Sequence, residues 1–294
     1  MADELSYLKD GLPLAVVKKV IGGANRTSSV CYSKSGRKYR GANIDSDTNL
    51  LNISSEQSAL LLAVSHSDYE VEEMVTLVEK SDGFMVNPFT VKTMIDFCVR
   101  TGSEIRYRII DMDGREIFSA PKISETISFY RPPQKILSKV TGAVISENKA
   151  TFDKSLSVKD QLKKYADEGL SKCFHTYDNA SAYSTAVLTE DGTIYYTGQY
   201  SSFEKRGSIH SEMAAPILAL MNDKTKITAL GLVSTKFTDT PCEICGCCRQ
   251  FLAEISAKYD LNIKLYCFAK DTMEFKQYSL DELLPNQWSS KKWL

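Results

Sequence analysis

The chain has 294 residues, 43% of them hydrophobic, enough for two ordinary domains with a core in each. Its 36 Lys+Arg against 37 Asp+Glu leave a formal net charge of -1, which argues against a bulk electrostatic partner such as duplex nucleic acid or an anionic membrane. The longest clear apolar run, Ala59–Val64, is too short to span a bilayer, and acids stand near the N-terminus where a secretory signal carries basic residues; a soluble cytoplasmic protein is expected.

Along the chain, Ser28–Gly41 (SSVCYSKSGRKYRG) alternates apolar and polar residues around a Ser-Gly dipeptide, the pattern of a β-hairpin. A polar loop comes next, and Ser55-Glu56 then opens an apolar helix that includes Ala59–Val64. Further elements are a helix near Val91–Val99 and a strand Glu104–Asp111 that runs into Asp113-Gly114. The polar stretch Thr141–Leu156 reads as a joint, and a helix Val158–Gly169 opens the second half of the chain. There the same order returns: a hairpin, Tyr183–Gly198 (YSTAVLTEDGTIYYTG), a polar loop, and Ser211-Glu212 opening an apolar helix. A strand Ile227–Val233, a cysteine cluster, a helix Arg249–Lys258, a strand Asn262–Ala269 and the segment Leu280–Pro285 complete the chain. The repeated order predicts an internal duplication: two tandem three-layer α/β/α domains, residues 1–145 and 150–294, each a mixed sheet flanked by helices.

Of the 8 cysteines, Cys31, Cys98, Cys173 and Cys267 lie scattered among apolar neighbours and read as buried free thiols. Cys242, Cys245, Cys247 and Cys248 are too close together to pair as disulfides, so they point to metal or redox chemistry. Upstream stands His210-Ser-Glu212, and the two segments together give the H-x-E and P-C-x-x-C signature of zinc deaminases. A catalytic zinc takes three protein ligands and keeps a fourth position for water; one imidazole and two thiolates supply that set. Thiolates at the first turn of a helix are favoured by its free N–H groups and dipole. Glu212, two residues beyond the histidine, is placed to move protons without binding the ion. The residues leave the cysteine pair open, since Pro-Cys-x-x-Cys selects Cys242 and Cys245 whereas Cys-Gly-x-Cys-Arg-Gln selects Cys245 and Cys248. A closed, purely structural zinc site with a fourth thiolate is the competing reading of the same cluster.

At these residues the sequence resembles the cytidine deaminase family. The match covers most of residues 157–288 and rests on His210-Ser-Glu212, Cys245-Gly-Cys-Cys248-Arg249-Gln250 and the Asp-Gly hairpin before the loop. The resemblance implies zinc held by His210, Cys245 and Cys248, with Cys242 as the alternative ligand, Glu212 as proton shuttle, and Arg249 offsetting thiolate charge. It implies hydrolytic deamination of a cytosine nucleoside, cytidine or deoxycytidine, to the uracil product and ammonia, with a small-molecule substrate and a homodimer. The first half resembles the same family without its ligands. Gly41-Ala-Asn43-Ile-Asp45 is similar to the family's ribose-binding segment, while Ser54-Ser55-Glu56 and Asn87-Pro88-Phe89 stand where the zinc motifs would be, with serine and phenylalanine in place of ligands. This copy is expected to hold no zinc, and Glu56 to be a relic or a helix-start acid.

The second copy departs from the family at Tyr200–Ser202, where ribose-binding residues are expected. That motivates a second substrate class, a modified nucleoside, an aminonucleoside antibiotic or a nucleotide, whose phosphate Lys205 and Arg206 would meet. A polynucleotide editor is disfavoured by the balanced charge, and a non-catalytic zinc scaffold is the remaining alternative. His66 and His175 have no partner motif and read as ordinary polar positions.

Overall fold

In a computed structural model of the chain, the described residues are 2–17, 25–46, 51–82, 84, 86–127, 140–177, 181–202 and 207–287. They form two compact units. The first comprises Met1–Ser146 with His175–Asp178 and Ser201–Ser208; the second comprises Glu147–Phe174, Asn179–Tyr200 and Ile209–Leu294.

The first unit contains α1 (Ala2–Lys9), β1 (Thr27–Ser33), β2 (Lys38–Ala42), α2 (Ser55–Ser65), β3 (Val71–Val78), α3 (Pro88–Thr101), β4 (Arg106–Ile110) and β5 (Glu116–Ala120). Its sheet runs β2-β1-β3-β4-β5. All neighbours are antiparallel except β3 and β4, which are parallel and joined through α3. Helix α2 is buried along its whole length, which is why its sequence reads as a continuous apolar run without a polar stripe. Beneath α1 a cluster of Leu8, Leu12, Val30, Val75, Leu77 and Ile110 closes the other face of the sheet.

The remaining elements are β6 (Lys149–Thr151), α4 (Val158–Gly169), β7 (Phe174–His175), β8 (Tyr183–Thr189), β9 (Thr193–Gly198), β10 (Tyr200–Ser201), α5 (Ser211–Met221), β11 (Ile227–Ser234), α6 (Gly246–Tyr259), β12 (Lys264–Phe268), β13 (Phe275–Tyr278) and α7 (Leu280–Leu283). The sheet of the second unit runs β13-β12-β11-β8-β9-β6, and β7 pairs with β10 in a separate short ladder. Here β11 and β12 are the parallel pair, joined through α6. The run β9-β8-β11-β12-β13 repeats the order and the strand senses of β2-β1-β3-β4-β5. In each unit a helix precedes the hairpin, a second comes after it, and a third joins the parallel pair. Both are mixed sheets flanked by helices, as the sequence leads one to expect.

Two features differ from the sequence reading. The stretch Thr141–Leu156 is more than a joint, because β6 lies inside it and pairs with the edge of β9. Strand β13 escapes sequence detection because an exposed edge strand carries no apolar alternation.

Helix α4 packs Leu162 and Ala166 on one face of the second sheet, against Ala186, Leu188, Ile194, Tyr196, Ala229 and Val233. It lies so close that a Cβ on Gly231 would stand 2.8 Å from the Leu162 Cβ, so β11 needs glycine there. Successive strand residues point to opposite faces, so Thr185, beside Ala186, points the other way. There its Oγ1 donates to Ser211 Oγ at 2.9 Å, which puts α5 on the face opposite α4. No helix among the described residues is long and apolar enough to cross a membrane.

Candidate metal centre

Strand β11 ends at Ser234, and the loop after it is tied to the end of its parallel neighbour β12. Cys242 N donates to Phe268 O at 3.3 Å, Lys270 N to Phe237 O at 2.8 Å, and Asp271 N to Thr238 O at 2.9 Å. The loop delivers Cys245 as the N-cap of α6, which begins at Gly246, ahead of the predicted start at Arg249. On the adjacent helix, His210 is the N-cap of α5, with Glu212 in its first turn. Two helix N-termini therefore converge at the carboxyl end of a parallel strand, the usual position of a site in such sheets.

His210, Glu212, Cys245 and Cys248 offer ligand atoms that all lie within 4.8 Å of one another. Cys245 Sγ is 3.4 Å from His210 Nδ1 and 3.4 Å from Cys248 Sγ, and Cys248 Sγ is 3.5 Å from His210 Nδ1. Zinc bonds of about 2.3 Å to sulfur and about 2.0 Å to nitrogen, at tetrahedral angles, space their ligands roughly 3.5–3.8 Å apart. The triangle is thus close to the one a zinc ion would require. The Cys245 thiol is acidified to about 4, first by its hydrogen bond with the Cys248 thiol and then, against the opposing effect of burial, by His210. The hydrogen bond to Cys245 in turn raises the His210 imidazole.

Cys242 stands apart from this set. Its thiol is fully buried and donates to Leu232 O at 3.3 Å, toward the sheet and beside Cys267. Cys247 is exposed on α6. Arg249 Nε donates to Ile244 O at 2.7 Å and its Nη1 to Leu283 O at 3.0 Å, clamping the turn before Cys245 to the end of α7. The scattered thiols Cys31, Cys98 and Cys267 are buried and Cys173 is half-buried; burial pushes Cys98 up to about 12 and Cys173 to about 11.

Glu212 is buried, and that burial raises its carboxyl above the ordinary value. Ser211 Oγ donates to it at 3.1 Å, and the Cys248 thiol faces it. In the first unit Glu56 occupies the equivalent place on α2 and has a different fate. Thr76 Oγ1 and Tyr107 OH donate to its Oε1 at 2.9 Å and 2.7 Å, consuming that oxygen inside the core. The sheet registers explain the contrast. Ser29 pairs with Thr76 as Thr185 pairs with Leu232, and Met74 pairs with Tyr107 as Leu230 pairs with Leu265. The positions of the hydroxyls that hold Glu56 are therefore taken by two leucines in the second unit, which can offer Glu212 no hydrogen bond.

The same comparison corrects the reading of the first copy. The N-caps of α2 and α3 are Ser54 and Asn87, equivalent to His210 and Cys245, and the residue three on from Asn87, equivalent to Cys248, is Thr90. Phe89, expected at a ligand position, is 39% exposed one residue short of it. Ser54 and Asn87 accept from Gln57 N and Phe89 N and so act as helix caps. Asn43 is likewise engaged, its Oδ1 accepting from Thr27 N at 2.8 Å and its Nδ2 donating to Asp45 at 3.1 Å. His66 Nδ1 lies 2.9 Å from Leu62 O, and burial lowers the His175 imidazole.

Tyr183, which the sequence reading passed over, lies on the site's side of the sheet, two residues before Thr185 and opposite Ser234. Burial raises its phenol, against a hydrogen bond with Ser234 that lowers it. Strand parity was the signal that would have found it. Tyr200 and Ser202 are buried, and Ser202 Oγ donates to Asp96 Oδ2 at 2.9 Å. Lys205 and Arg206 fall outside the described residues.

No family model matches the chain, and no curated protein matches it. Among solved structures, cytidine deaminase from Burkholderia pseudomallei is similar at 20% identity, covering 45% of this chain and 100% of that one with a TM-score of 0.40. The enzyme from Mycobacterium leprae gives 18%, 45%, 100% and 0.36, and that from Bacillus anthracis 22%, 47%, 93% and 0.34. Each covers a little under half of this chain.

Proposed function

We propose that the chain is a zinc-dependent hydrolytic deaminase of the cytidine deaminase family, acting on a cytosine nucleoside to give the uracil product and ammonia. The chemistry belongs to residues 150–294, with 1–145 as a ligand-free copy, a small-molecule substrate and a homodimer. One observation carries the reading: the triangle of His210 Nδ1, Cys245 Sγ and Cys248 Sγ, with the buried carboxyl of Glu212 beside it and no further thiolate in the group among the described residues.

His210, Cys245 and Cys248 would hold the zinc, and an ion so bound supplies Lewis acidity and makes water a nucleophile near neutral pH. Glu212 takes a proton from the attacking water and passes it to the ring nitrogen; a second transfer through the same carboxyl lets the amino group leave as ammonia. Its raised carboxyl pKa suits a group that must both accept and donate. The leucines at the positions of Thr76 and Tyr107 offer it no hydrogen bond, and Ser211 is the neighbouring hydroxyl that donates to it.

A second reading keeps the chemistry and changes the substrate to a nucleotide or a modified nucleoside. It is favoured by Ser202, which lies where the family binds ribose yet is fully buried and committed to Asp96. An ammonia-release screen on cytidine, deoxycytidine, their phosphates, cytosine and adenosine, with zinc measured alongside, separates the two. Glu212→Gln is expected to keep zinc and lose roughly 10²–10⁴ in rate. Zinc bound with no turnover on any of these compounds would favour a non-catalytic scaffold instead.

A further inference from the structure

Sequence spacing alone argues against a disulfide inside the cysteine cluster, because near neighbours on one helix do not meet disulfide geometry. The structure removes that objection for one pair. Cys245 is the N-cap of α6 and its backbone is extended, φ -70° and ψ 159°, so it stands off the helix. From there its Sγ lies 3.4 Å from that of Cys248, in the first turn. The two differ in access: Cys245 is exposed, whereas Cys248 is fully buried. Cys247 is exposed too, but it lies inside α6, next to Cys248 in the chain. Cys31, Cys98, Cys242 and Cys267 are buried in the core, away from a dissolved oxidant.

An accessible sulfur with a second sulfur in contact behind it is the arrangement of a redox-sensitive pair, in which one cysteine meets the oxidant and the other resolves the product. We propose that Cys245 and Cys248 form such a pair, and that a hydroperoxide, by oxidising them to a disulfide, switches off the metal centre. In the first step the Cys245 sulfur attacks a peroxide oxygen, the O–O bond breaks and a sulfenic acid forms. The departing oxygen leaves as water, or as an alcohol from an organic peroxide, taking the thiol's proton or one from solvent. In the second step the Cys248 sulfur attacks the Cys245 sulfur, the S–O bond breaks, and the hydroxyl leaves as water by the same protonation. The two sulfurs give up two electrons in total and the peroxide takes both. A disulfide has no thiolate to offer, and the thiolate is the form that ligates a metal. Zinc and oxidant therefore compete for the same two sulfurs. The release of zinc rests on Cys245 and Cys248 being its ligands; formation of the disulfide does not.

The test uses the full chain loaded with Zn²⁺ and treated with hydrogen peroxide. Released zinc is read with a chromogenic chelator, and the cysteines are mapped by mass spectrometry of peptides. Stoichiometric release of zinc is expected, together with a Cys245–Cys248 link lighter than the dithiol by the lost thiol hydrogens. Dithiothreitol should restore both thiols and zinc binding by thiol–disulfide exchange. Chain stripped of metal by a chelator should form the same link faster than the loaded chain, because ligation occupies the sulfurs. Cys247→Ser should behave as wild type in every arm. Zinc loss with sulfinic or sulfonic acids, a link through Cys247, or a link between chains would overturn the pair while leaving the metal reading intact. So would zinc and thiols that both survive peroxide. Wild-type chain that takes up no zinc would overturn the metal reading, and the peptide map of the same sample would still decide the pair.

Discussion

Cys242 and Cys248 are both fully buried, yet only Cys248 faces His210, while Cys242 donates to the Leu232 carbonyl in the core. Cys248→Ser is therefore expected to lose zinc, because serine is a poor zinc ligand at neutral pH. Cys242→Ser should keep zinc and lower stability by about 1–2 kcal/mol, since it trades a thiol for a hydroxyl in an apolar setting. Cys247→Ser, on the exposed side of α6, should change neither. Zinc occupancy and denaturant midpoints of the single variants check all three. Loss of metal in every one, Cys245→Ser included, would indicate a closed thiolate cluster and end the deaminase reading. A second residue-scale prediction concerns Asp68. Burial opposes its charge, but hydrogen bonds from Ser35, Ser33 and Tyr39 outweigh that and hold its carboxyl below the ordinary value. A depressed folded-state pKa contributes stability that is present above the unfolded value, about 3.9, and is lost as pH falls through the folded value. Asp68→Asn should cost about 1–3 kcal/mol at pH 7, and its gap to wild type should narrow below about pH 4. A gap independent of pH between 7 and 3 would refute this account.

Helix starts show what the metal centre costs. Helices α2, α3 and α4 begin with Ser54, Asn87 and Ser157, each accepting a first-turn N–H. Helices α5 and α6 begin with His210 and Cys245, and neither side chain caps its helix. Where the first unit has a capping side chain, the second has a histidine and a cysteine that the proposed function assigns to ligation. His210→Ser should accordingly abolish zinc binding and yet make the metal-free chain more stable, by about 0.5–2 kcal/mol per restored cap. Denaturant unfolding in the presence of a chelator measures it; a variant less stable than metal-free wild type would show that His210 contributes something other than ligation. Sequence periodicity located most of these elements because amphipathic spacing and turn dipeptides are local signals. It placed the start of α6 too late, since a run of cysteines and a glycine carries no helical period until packing supplies one.

Across the whole molecule, two sheets of the same strand order carry very different chemistry. Among the described residues one candidate ligand set stands at His210, Cys245 and Cys248, against Ser54, Asn87 and Thr90 in the first unit. The full-length chain should therefore bind one zinc, as read by elemental analysis of dialysed protein. Two equivalents per chain would refute the ligand-free reading of the first copy.

What the sequence determined by itself was the set of chemically capable residues and the repeated order of elements. Histidine, glutamate and closely spaced cysteines narrow the options through their own ligand and proton-transfer properties, and element order arises from patterns a few residues long. The tertiary structure decided which of those groups meet. The residues by themselves leave Cys242 and Cys248 both open and only the resemblance favours Cys248; the loop tied to the end of β12 turns Cys242 into the core and leaves Cys248 beside His210. Glu56 and Glu212 open similar helices, and the sheet locks the first with Thr76 and Tyr107 while the second unit has leucine at both of those positions. Asp96 is far from Ser202 in the chain, so no local pattern announces their bond. Such differences arise from contacts between distant residues, whose energies depend on burial and register, and neither is written in any short stretch of the chain.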